Sequence, residues 1–358
     1  MTTDPSPFIG VVLHAIGGLA AASFYAPLKF IHRWPWESFY LAMGVFAWLG
    51  TPWLFASATT PELASVVLGA PAGTLALTFF FGLLWGVGAV TFGLSMRYLG
   101  MALGMSVVLG FCALFGTLVP PIVAGEIGAI AASIDGRVVL GGVAVCALGI
   151  AVSGYAGVRK EREMPTGVQE GDPSGDDEFS LGRGLIVAFI SGLMSACFAF
   201  GLQTGAPIAE RAVAAGANPL FQNNSVLCVI LAGGFITNTL WCLFLNQRNR
   251  SFGSYRSATA KQTTFILLLC ALAGVVWYFQ FFFYGMGATK LGEYDFSSWS
   301  LHMAFIIVCG NLWGLGFREW KGVSGKTLAI VWCGILVLLV STAIIGWGNS
   351  LAGGASGH

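Results

Sequence analysis

The stretch GVVWYFQFFFYG, residues 274–285, decides how the chain is interpreted. It lies within a long apolar run, yet it places Trp277, Tyr278, Gln280 and Tyr284 near the middle of that run rather than at its ends. Helices that face lipid alone are mainly aliphatic, and their Trp and Tyr residues collect at the membrane interface. Aromatic and amide side chains at mid-depth therefore indicate a function inside the membrane.

The composition around this stretch is that of an integral membrane protein. Of 358 residues, 56% are hydrophobic and 9% are charged, whereas soluble domains carry roughly 25% charged residues. Apolar runs of about 20 residues recur along the chain, as membrane-spanning helices require. The sequence thus predicts an all-α integral membrane protein in the lipid bilayer, and its net charge of +1 gives no reason to expect nucleic-acid binding. The ten predicted transmembrane helices are 7–29, 37–57, 73–96, 99–123, 137–157, 182–205, 219–245, 263–288, 295–317 and 326–347.

The distribution of Lys and Arg predicts the orientation of these spans. Positive residues mark the cytoplasmic side of a membrane protein, and most of the 17 basic residues fall in the loops after odd-numbered spans or beside them. Only Arg137, Arg211 and Lys290 lie on the other side. Both termini are therefore expected on the outside of the membrane.

The two halves of the sequence resemble each other. IGGLAAASF (16–24) matches ISGLMSACF (190–198), and GLLWGVGAVTFG (82–93) matches the opening stretch, so that Trp85 pairs with Trp277. Because each half holds five predicted spans, the second copy must enter the membrane from the opposite side. The prediction is a 5+5 inverted-topology repeat, an arrangement typical of secondary transporters that bind substrate at mid-membrane.

The repeat predicts three segments. Residues 1–157 form the first five-helix repeat and residues 181–358 the second. Residues 158–180, rich in Glu, Asp, Gly and Pro, are predicted to be a polar cytoplasmic linker.

The mid-membrane aromatic residues are the candidate substrate site. Trp85 and Trp277 lie about twelve and fourteen residues into their predicted spans, far from either interface. Trp277, Gln280 and Tyr284 are spaced so that they share one helical face. Such a face suits a sugar, although packing between helices is the alternative explanation. The predicted substrate-binding residues are Trp85, Trp277, Gln280, Phe281, Tyr284, Trp299 and Tyr25.

Titratable residues within spans are the candidate proton sites, because ionisable groups in a membrane are costly. His14 and His302 each lie about seven residues inside a span and suit proton exchange near neutral pH. Glu37 and Asp295 begin spans, where a negative charge also stabilises a helix N-terminus. The sequence contains no Walker motif and no HExxH motif, and neither a metal site nor a cofactor other than a co-transported proton is predicted.

Several longer motifs carry a resemblance to a known family. They are HAIG (14–17), FYAPLK (24–29), WPWE (34–37), GLSMRYLGM (93–101), WYFQFFFYGMG (277–287), YDFSSWSLHM (294–303) and REW (318–320). On these motifs the chain resembles the L-rhamnose/proton symporter family of bacteria, within the drug/metabolite transporter superfamily. The resemblance implies a ten-helix carrier of the bacterial inner membrane that takes up L-rhamnose with a proton. It also implies that His14, Glu37, Gln280, Asp295 and His302 stand at positions matching the family motifs.

The sequence therefore favours a proton-coupled sugar importer that works by alternating access, and not an enzyme. Two alternatives remain open, namely an exporter or exchanger of the same superfamily and a sugar receptor that transports nothing. The sugar, the proton stoichiometry and the oligomeric state are not fixed by the sequence.

Overall fold

A computed structural model describes residues 5–99, 101–164 and 180–355, and within these ranges the chain is helical with no strand. A π-helical segment, Val45–Gly50, joins α3 to α4, and 3-10 segments occupy Pro219–Phe221, Ser251–Arg256 and Gly292–Ser297. The helices are α1 Pro7–Ser23, α2 Tyr25–Leu28, α3 Trp36–Gly44, α4 Thr51–Thr59, α5 Leu63–Leu68, α6 Ala72–Leu99, α7 Met101–Val123, α8 Ile127–Ala132, α9 Ile134–Glu163, α10 Leu181–Thr204, α11 Ala206–Ala214, α12 Asn223–Arg248, α13 Ala260–Ala288, α14 Ser298–Gly316 and α15 Gly325–Ala355.

The described residues include nine helical stretches long and apolar enough to cross a membrane, which makes the chain a multi-pass membrane protein. A helix satisfies every backbone hydrogen bond within itself, as the bilayer interior demands. The predicted fourth span coincides with α7, whose apolar part, Val107–Val123, is shorter than the other nine. Each of the ten predicted spans thus corresponds to an apolar helix of the structure.

Three of the connections between the predicted spans contain short helices. These helices are α5, α8 and α11, and the sequence pattern predicts none of them. The predicted sixth span continues beyond Gly205 into α11, because Pro207 stands in the first turn of that helix, where a missing N–H costs nothing.

The predicted linker is helical at its beginning. The helix α9 ends at Glu163, six residues beyond the predicted end of the fifth span at 157. Residues 165–179, which make up most of the predicted linker, lie outside the described residues.

The chain divides into two compact units, each assembled from two separate segments. Unit 1 comprises Met1–Val87 and Cys197–Leu291, and unit 2 comprises Gly88–Ala196 and Gly292–His358. Unit 1 takes one segment from each sequence half, whereas the first segment of unit 2 extends from the first half into α10. These units are sets of contacting residues and do not test the division into sequence repeats.

In unit 2, α9 and α15 pack along each other at close range. A Cβ atom at Gly142 would lie 2.6 Å from Cγ1 of Ile345, and one at Gly348 would lie 2.6 Å from Cγ2 of Val139. Small residues permit such close approach between membrane helices. The end of α9 also caps α15, since the Glu163 carboxylate accepts hydrogen bonds from the Ser324 backbone N–H (2.6 Å) and the Thr327 hydroxyl (2.6 Å).

In unit 1, α13 packs against α1 and α3, and α12 packs against α3 and α4. The π-helical segment between α3 and α4 contacts both α12 and α13. The helix carrying the opening stretch therefore lies in contact with α1, α3 and the π-helical segment.

Candidate functional site

Three tryptophans of unit 1 form a cluster of stacked rings. Trp48 lies 4.9 Å from Trp85 and 5.0 Å from Trp277, measured between ring centroids, with interplanar angles of 30° and 15°. The rings of Trp85 and Trp277 lie 6.2 Å apart. All three side chains are buried. Trp85 and Trp277, which the internal repeat pairs, are thus neighbours. Trp48, which the sequence analysis did not single out, contacts both of them.

Further aromatic rings extend the cluster along α13. Phe281 contacts Trp85 at 5.3 Å and Trp277 at 5.0 Å, and Phe198 of α10 contacts Phe281 at 4.7 Å. Phe198 also reaches Tyr284, at 5.9 Å. These six residues, Trp48, Trp85, Trp277, Phe281, Phe198 and Tyr284, are called the aromatic cluster below.

The local backbone explains how Trp48 enters the cluster. Trp48 lies in the π-helical segment, and such segments occur frequently at functional sites because they shift side chains around the helix axis. Gly234 of α12 provides the space for its ring, since a Cβ atom there would overlap Cζ3 of Trp48. The position of Trp48 thus depends on an irregular turn and on a glycine distant in sequence.

Gln280 lies on α13 between Trp277 and Tyr284, and its side chain is 7% exposed. Its Nε2 donates to the backbone carbonyl of Trp277 at 2.9 Å. The amide therefore has a hydrogen bond within its own helix that it could exchange for one to a ligand.

His14 adjoins the aromatic cluster. Its ring centroid lies 5.3 Å from that of Tyr284, with the rings at 64°. The imidazole also packs on Gly287, where a Cβ atom would come within 2.8 Å of Nε2. One candidate proton site and the candidate substrate site are therefore adjacent within unit 1.

Tyr25 is set apart from the buried aromatic residues. Its side chain is 48% exposed, and its ring centroid lies 4.2 Å from that of its neighbour Phe24, with the two rings tilted by 38°.

Glu37 belongs to a buried polar network at the start of α3. Its carboxylate accepts hydrogen bonds from the Ser251 hydroxyl (2.6 Å) and the Asn249 amide (3.1 Å). Oδ1 of Asn246 accepts a hydrogen bond from the Ser38 hydroxyl at 2.9 Å and lies 3.1 Å from the Ser251 hydroxyl oxygen. The network connects the beginning of α3 with the end of α12.

Tyr255 follows Ser254, whose hydroxyl oxygen lies 3.1 Å from that of Ser38, and the Tyr255 ring centroid lies 5.0 Å from that of Trp34. Burial raises the pKa of the Tyr255 phenol further above its ordinary value, which by itself keeps the group protonated at neutral pH.

The remaining candidates lie in unit 2. The Trp299 indole N–H donates to the carbonyl of Cys112 at 2.9 Å, and the ring covers Gly116, where a Cβ atom would collide with it. His302 is fully buried, 6.3 Å from Trp299 between ring centroids. Asp295 is exposed. The contacts of Trp299 favour helix packing for this residue.

Sequence reasoning missed several polar and aromatic residues of both units. Trp48 satisfied the same mid-span criterion that had selected Trp85 and Trp277, and Phe198 ended one of the matched repeat motifs. Asn246 and Ser251 gave no signal, because their partners at the start of α3, Ser38 and Glu37, lie more than 200 residues away in sequence. In unit 2 the Tyr294 hydroxyl donates to Asp135 at 2.8 Å, a contact the sequence likewise did not indicate.

The described residues contain no group of three or more His, Cys, Asp or Glu side chains arranged to hold a metal ion.

Comparison with known proteins identifies the family of the chain. The sequence matches the family described as L-rhamnose-proton symport protein over residues 5–351. It is 36% identical over 343 residues to proteins named L-rhamnose-proton symporter from Cronobacter sakazakii and Yersinia pestis, and each alignment covers 95% of this chain and 97% of the relative. A protein of the same name from Yersinia pseudotuberculosis matches equally well. Because the family match covers nearly the whole length of the chain, the chain belongs to the L-rhamnose-proton symport protein family.

Proposed function

We propose that this protein is a secondary transporter that imports L-rhamnose together with a proton by alternating access. Membership of the symport family supports the reaction, and the aromatic cluster supports a sugar-binding site. The observation that carries the proposal is the stacking of Trp48 with both Trp85 and Trp277 at mid-span. Binding sites for small molecules are lined mainly by apolar and aromatic groups with a few polar ones.

The proposed architecture is the 5+5 inverted repeat of ten helices, in a bacterial inner membrane with both termini in the periplasm. The contact between Trp85 and Trp277 supports the repeat, because symmetry-related helices of such carriers approach each other at the substrate.

Sugar binding requires the aromatic cluster to open. Ring centroids separated by 4.9 to 6.2 Å are in direct contact, which leaves no space for a sugar ring between them. The sugar replaces ring–ring contacts with its own C–H faces, and Gln280 exchanges its bond to the Trp277 carbonyl for one to a hydroxyl. Each ligand shifts the conformational equilibrium only by its difference in affinity between states.

Among the proposed proton-coupling residues, Glu37, His14, His302 and Asp295, the buried carboxylate of Glu37 is the first to test. Its hydrogen bonds from Ser251 and Asn249 stabilise the ionised form. Protonation would weaken both bonds, which connect α3 to the end of α12 and the segment following it. Protonation of Glu37 would therefore directly weaken the contact between α3 and the end of α12.

The decisive experiment is uptake of radiolabelled L-rhamnose into liposomes containing the purified protein. We expect accumulation that depends on an inward proton gradient, competes with unlabelled L-rhamnose, and is abolished in Gln280→Ala. Unlabelled L-fucose, D-mannose and L-lyxose measure the selectivity.

Other outcomes distinguish the alternatives. Equilibration without accumulation indicates a facilitator or exchanger, and binding without any uptake indicates a receptor. Absence of both binding and uptake rules out L-rhamnose as the substrate.

A further inference from the structure

The hydroxyl of Ser251 lies between two oxygen acceptors. Its oxygen is 2.6 Å from Oε1 of Glu37 and 3.1 Å from Oδ1 of Asn246. Both of these side chains are buried. A serine hydroxyl carries a single hydrogen, so it donates to only one of the two acceptors at a time. Because a hydrogen bond to an ionised group is stronger than one to a neutral group, Ser251 donates to the Glu37 carboxylate.

The other contacts of Asn246 fix the orientation of its amide. Nδ2 donates to the backbone carbonyl of Cys242 at 2.9 Å, which identifies Oδ1 as the atom that faces the hydroxyls. Ser38 donates to Oδ1 at 2.9 Å and occupies one of its two lone pairs. The other lone pair is available to Ser251, whose oxygen lies 3.1 Å away. While Glu37 is ionised, this last contact has no hydrogen of its own.

Protonation of Glu37 supplies the missing hydrogen. A carboxylic acid has an O–H group, which can donate to Ser251 and release the serine hydrogen for Asn246. In the ionised state Ser251 donates to Glu37, and Ser38 donates to Asn246. In the protonated state Glu37 donates to Ser251, Ser251 donates to Asn246, and the Ser38 bond stays as it was. One added proton therefore adds one hydrogen bond, and the bond gained is the one to α12.

We propose that Ser251 is a positioning residue for proton coupling, which exchanges its acceptor from Glu37 to Asn246 when Glu37 takes up a proton. This inference rests on the proposed function and adds to it the residues that respond to the proton. The exchange strengthens the contact of Ser251 with α12. At the same time the bond between Ser251 and α3 loses the contribution of the carboxylate charge. The protonation state of Glu37 is thus transmitted to the end of α12.

Few other titratable groups face Glu37 from the elements packed against α3, which are α12, α13, the π-helical segment and the 3-10 segment after α12. The Cys242 thiol and the Tyr255 phenol interact electrostatically with the carboxylate. The Cys270 thiol of α13 lies 3.5 Å from a backbone carbonyl of α3, and the π-helical segment contains no titratable residue. Thiols and phenols are neutral near pH 7. The basic residues of these elements near α3 have exposed side chains, namely Arg248, Arg250, Arg256 and Lys261.

The test measures the midpoint pH of Glu37 protonation by infrared spectroscopy of the full-length protein in liposomes. The C=O band of the carboxylic acid is assigned by its absence in Glu37→Gln. Asn246→Leu removes the acceptor that the protonated state requires and leaves the bond from Ser251 to the ionised carboxylate in place. We expect its midpoint to fall by about 0.5 to 1 pH unit, the equivalent of one hydrogen bond. The matched control is Ser254→Ala, which should keep the wild-type midpoint because this hydroxyl contacts Ser38 and not Glu37.

A double-mutant cycle determines whether Ser251 carries the effect. In a Ser251→Ala background, Asn246→Leu should no longer move the midpoint, because no hydroxyl is left to change its acceptor. Ser251→Thr keeps a hydroxyl and should restore the effect of Asn246→Leu. If Asn246→Leu does not fold, Ser251→Ala alone carries the test. The C=O band of protonated Glu37 should then move to higher wavenumber, because its O–H has lost its partner.

The results separate this inference from the proposed function. An unchanged midpoint in Asn246→Leu, an equal shift in the Ser251→Ala background, or an unmoved C=O band in Ser251→Ala overturns the exchange and leaves the transporter intact. The pH dependence of proton-driven L-rhamnose uptake should move in the same direction as the infrared midpoint. An infrared shift without a shift in uptake overturns the role in coupling. If the wild type does not accumulate L-rhamnose, the proposed function fails, and the infrared titration still decides whether the exchange occurs.

Discussion

At the scale of single residues, Glu37 differs from an ordinary acidic residue at a helix start because its carboxylate accepts hydrogen bonds from Ser251 at 2.6 Å and from Asn249 at 3.1 Å. Replacing it by Gln keeps the shape but removes the charge and the ability to exchange a proton. We expect Glu37→Gln to abolish accumulation driven by a proton gradient and to retain exchange of labelled for unlabelled sugar. Exchange needs no net proton movement. Both activities are measured in the same liposomes.

The matched control is Glu210→Gln, which neutralises an exposed acid of unit 1. It should accumulate sugar as the wild type does. Normal accumulation by Glu37→Gln would assign the proton to another residue, with His14 the next to test because of its contact with Tyr284.

At the scale of elements, the close contact of α9 with α15 makes two adjacent glycines respond in opposite ways to the same substitution. A Cβ atom at Gly142 would lie 2.6 Å from Cγ1 and 3.0 Å from N of Ile345. One at Gly141 would meet no described atom within 4 Å. Overpacking typically costs about 1–3 kcal/mol. We expect Gly142→Ala to unfold at a lower temperature in detergent, and Gly141→Ala to unfold at or above the wild-type temperature.

Far-UV circular dichroism during heating makes this comparison. Equal melting temperatures for the two variants would contradict this prediction. They would mean that α9 and α15 can move apart to make room for the added methyl group at little cost.

The element scale also shows what sequence patterns can and cannot provide. Long apolar runs identify the spans, because each transmembrane helix needs about 20 apolar residues to cross the bilayer. The π-helical turn at Val45–Gly50 and the short helices α5 and α8 are set by packing against other parts of the chain, and no local period encodes them. For the same reason Trp85 and Trp277 could be paired from the sequence, while Gly234 could not be placed against Trp48.

At the scale of the whole molecule, the asymmetry of Lys and Arg predicts one orientation. Fluorescent-protein fusions truncated after Gly322, in the loop between α14 and α15, should fluoresce because that loop is predicted to be cytoplasmic. Fluorescent protein fused after Glu126, or to the C-terminus of the full chain, should be dark. Alkaline phosphatase fused at either of these two positions should be active. The opposite pattern would invert the predicted topology and overturn the placement of both termini on the outside.

The contact among Trp48, Trp85 and Trp277 has an optical consequence. Indoles at centroid distances of 4.9, 5.0 and 6.2 Å are close enough for their excited states to couple, so they absorb as one chiral chromophore rather than as three separate ones. A coupled chromophore produces a paired signal in near-ultraviolet circular dichroism whose size falls steeply with separation. The size of this signal therefore reports, without any label, whether the aromatic cluster is closed or open.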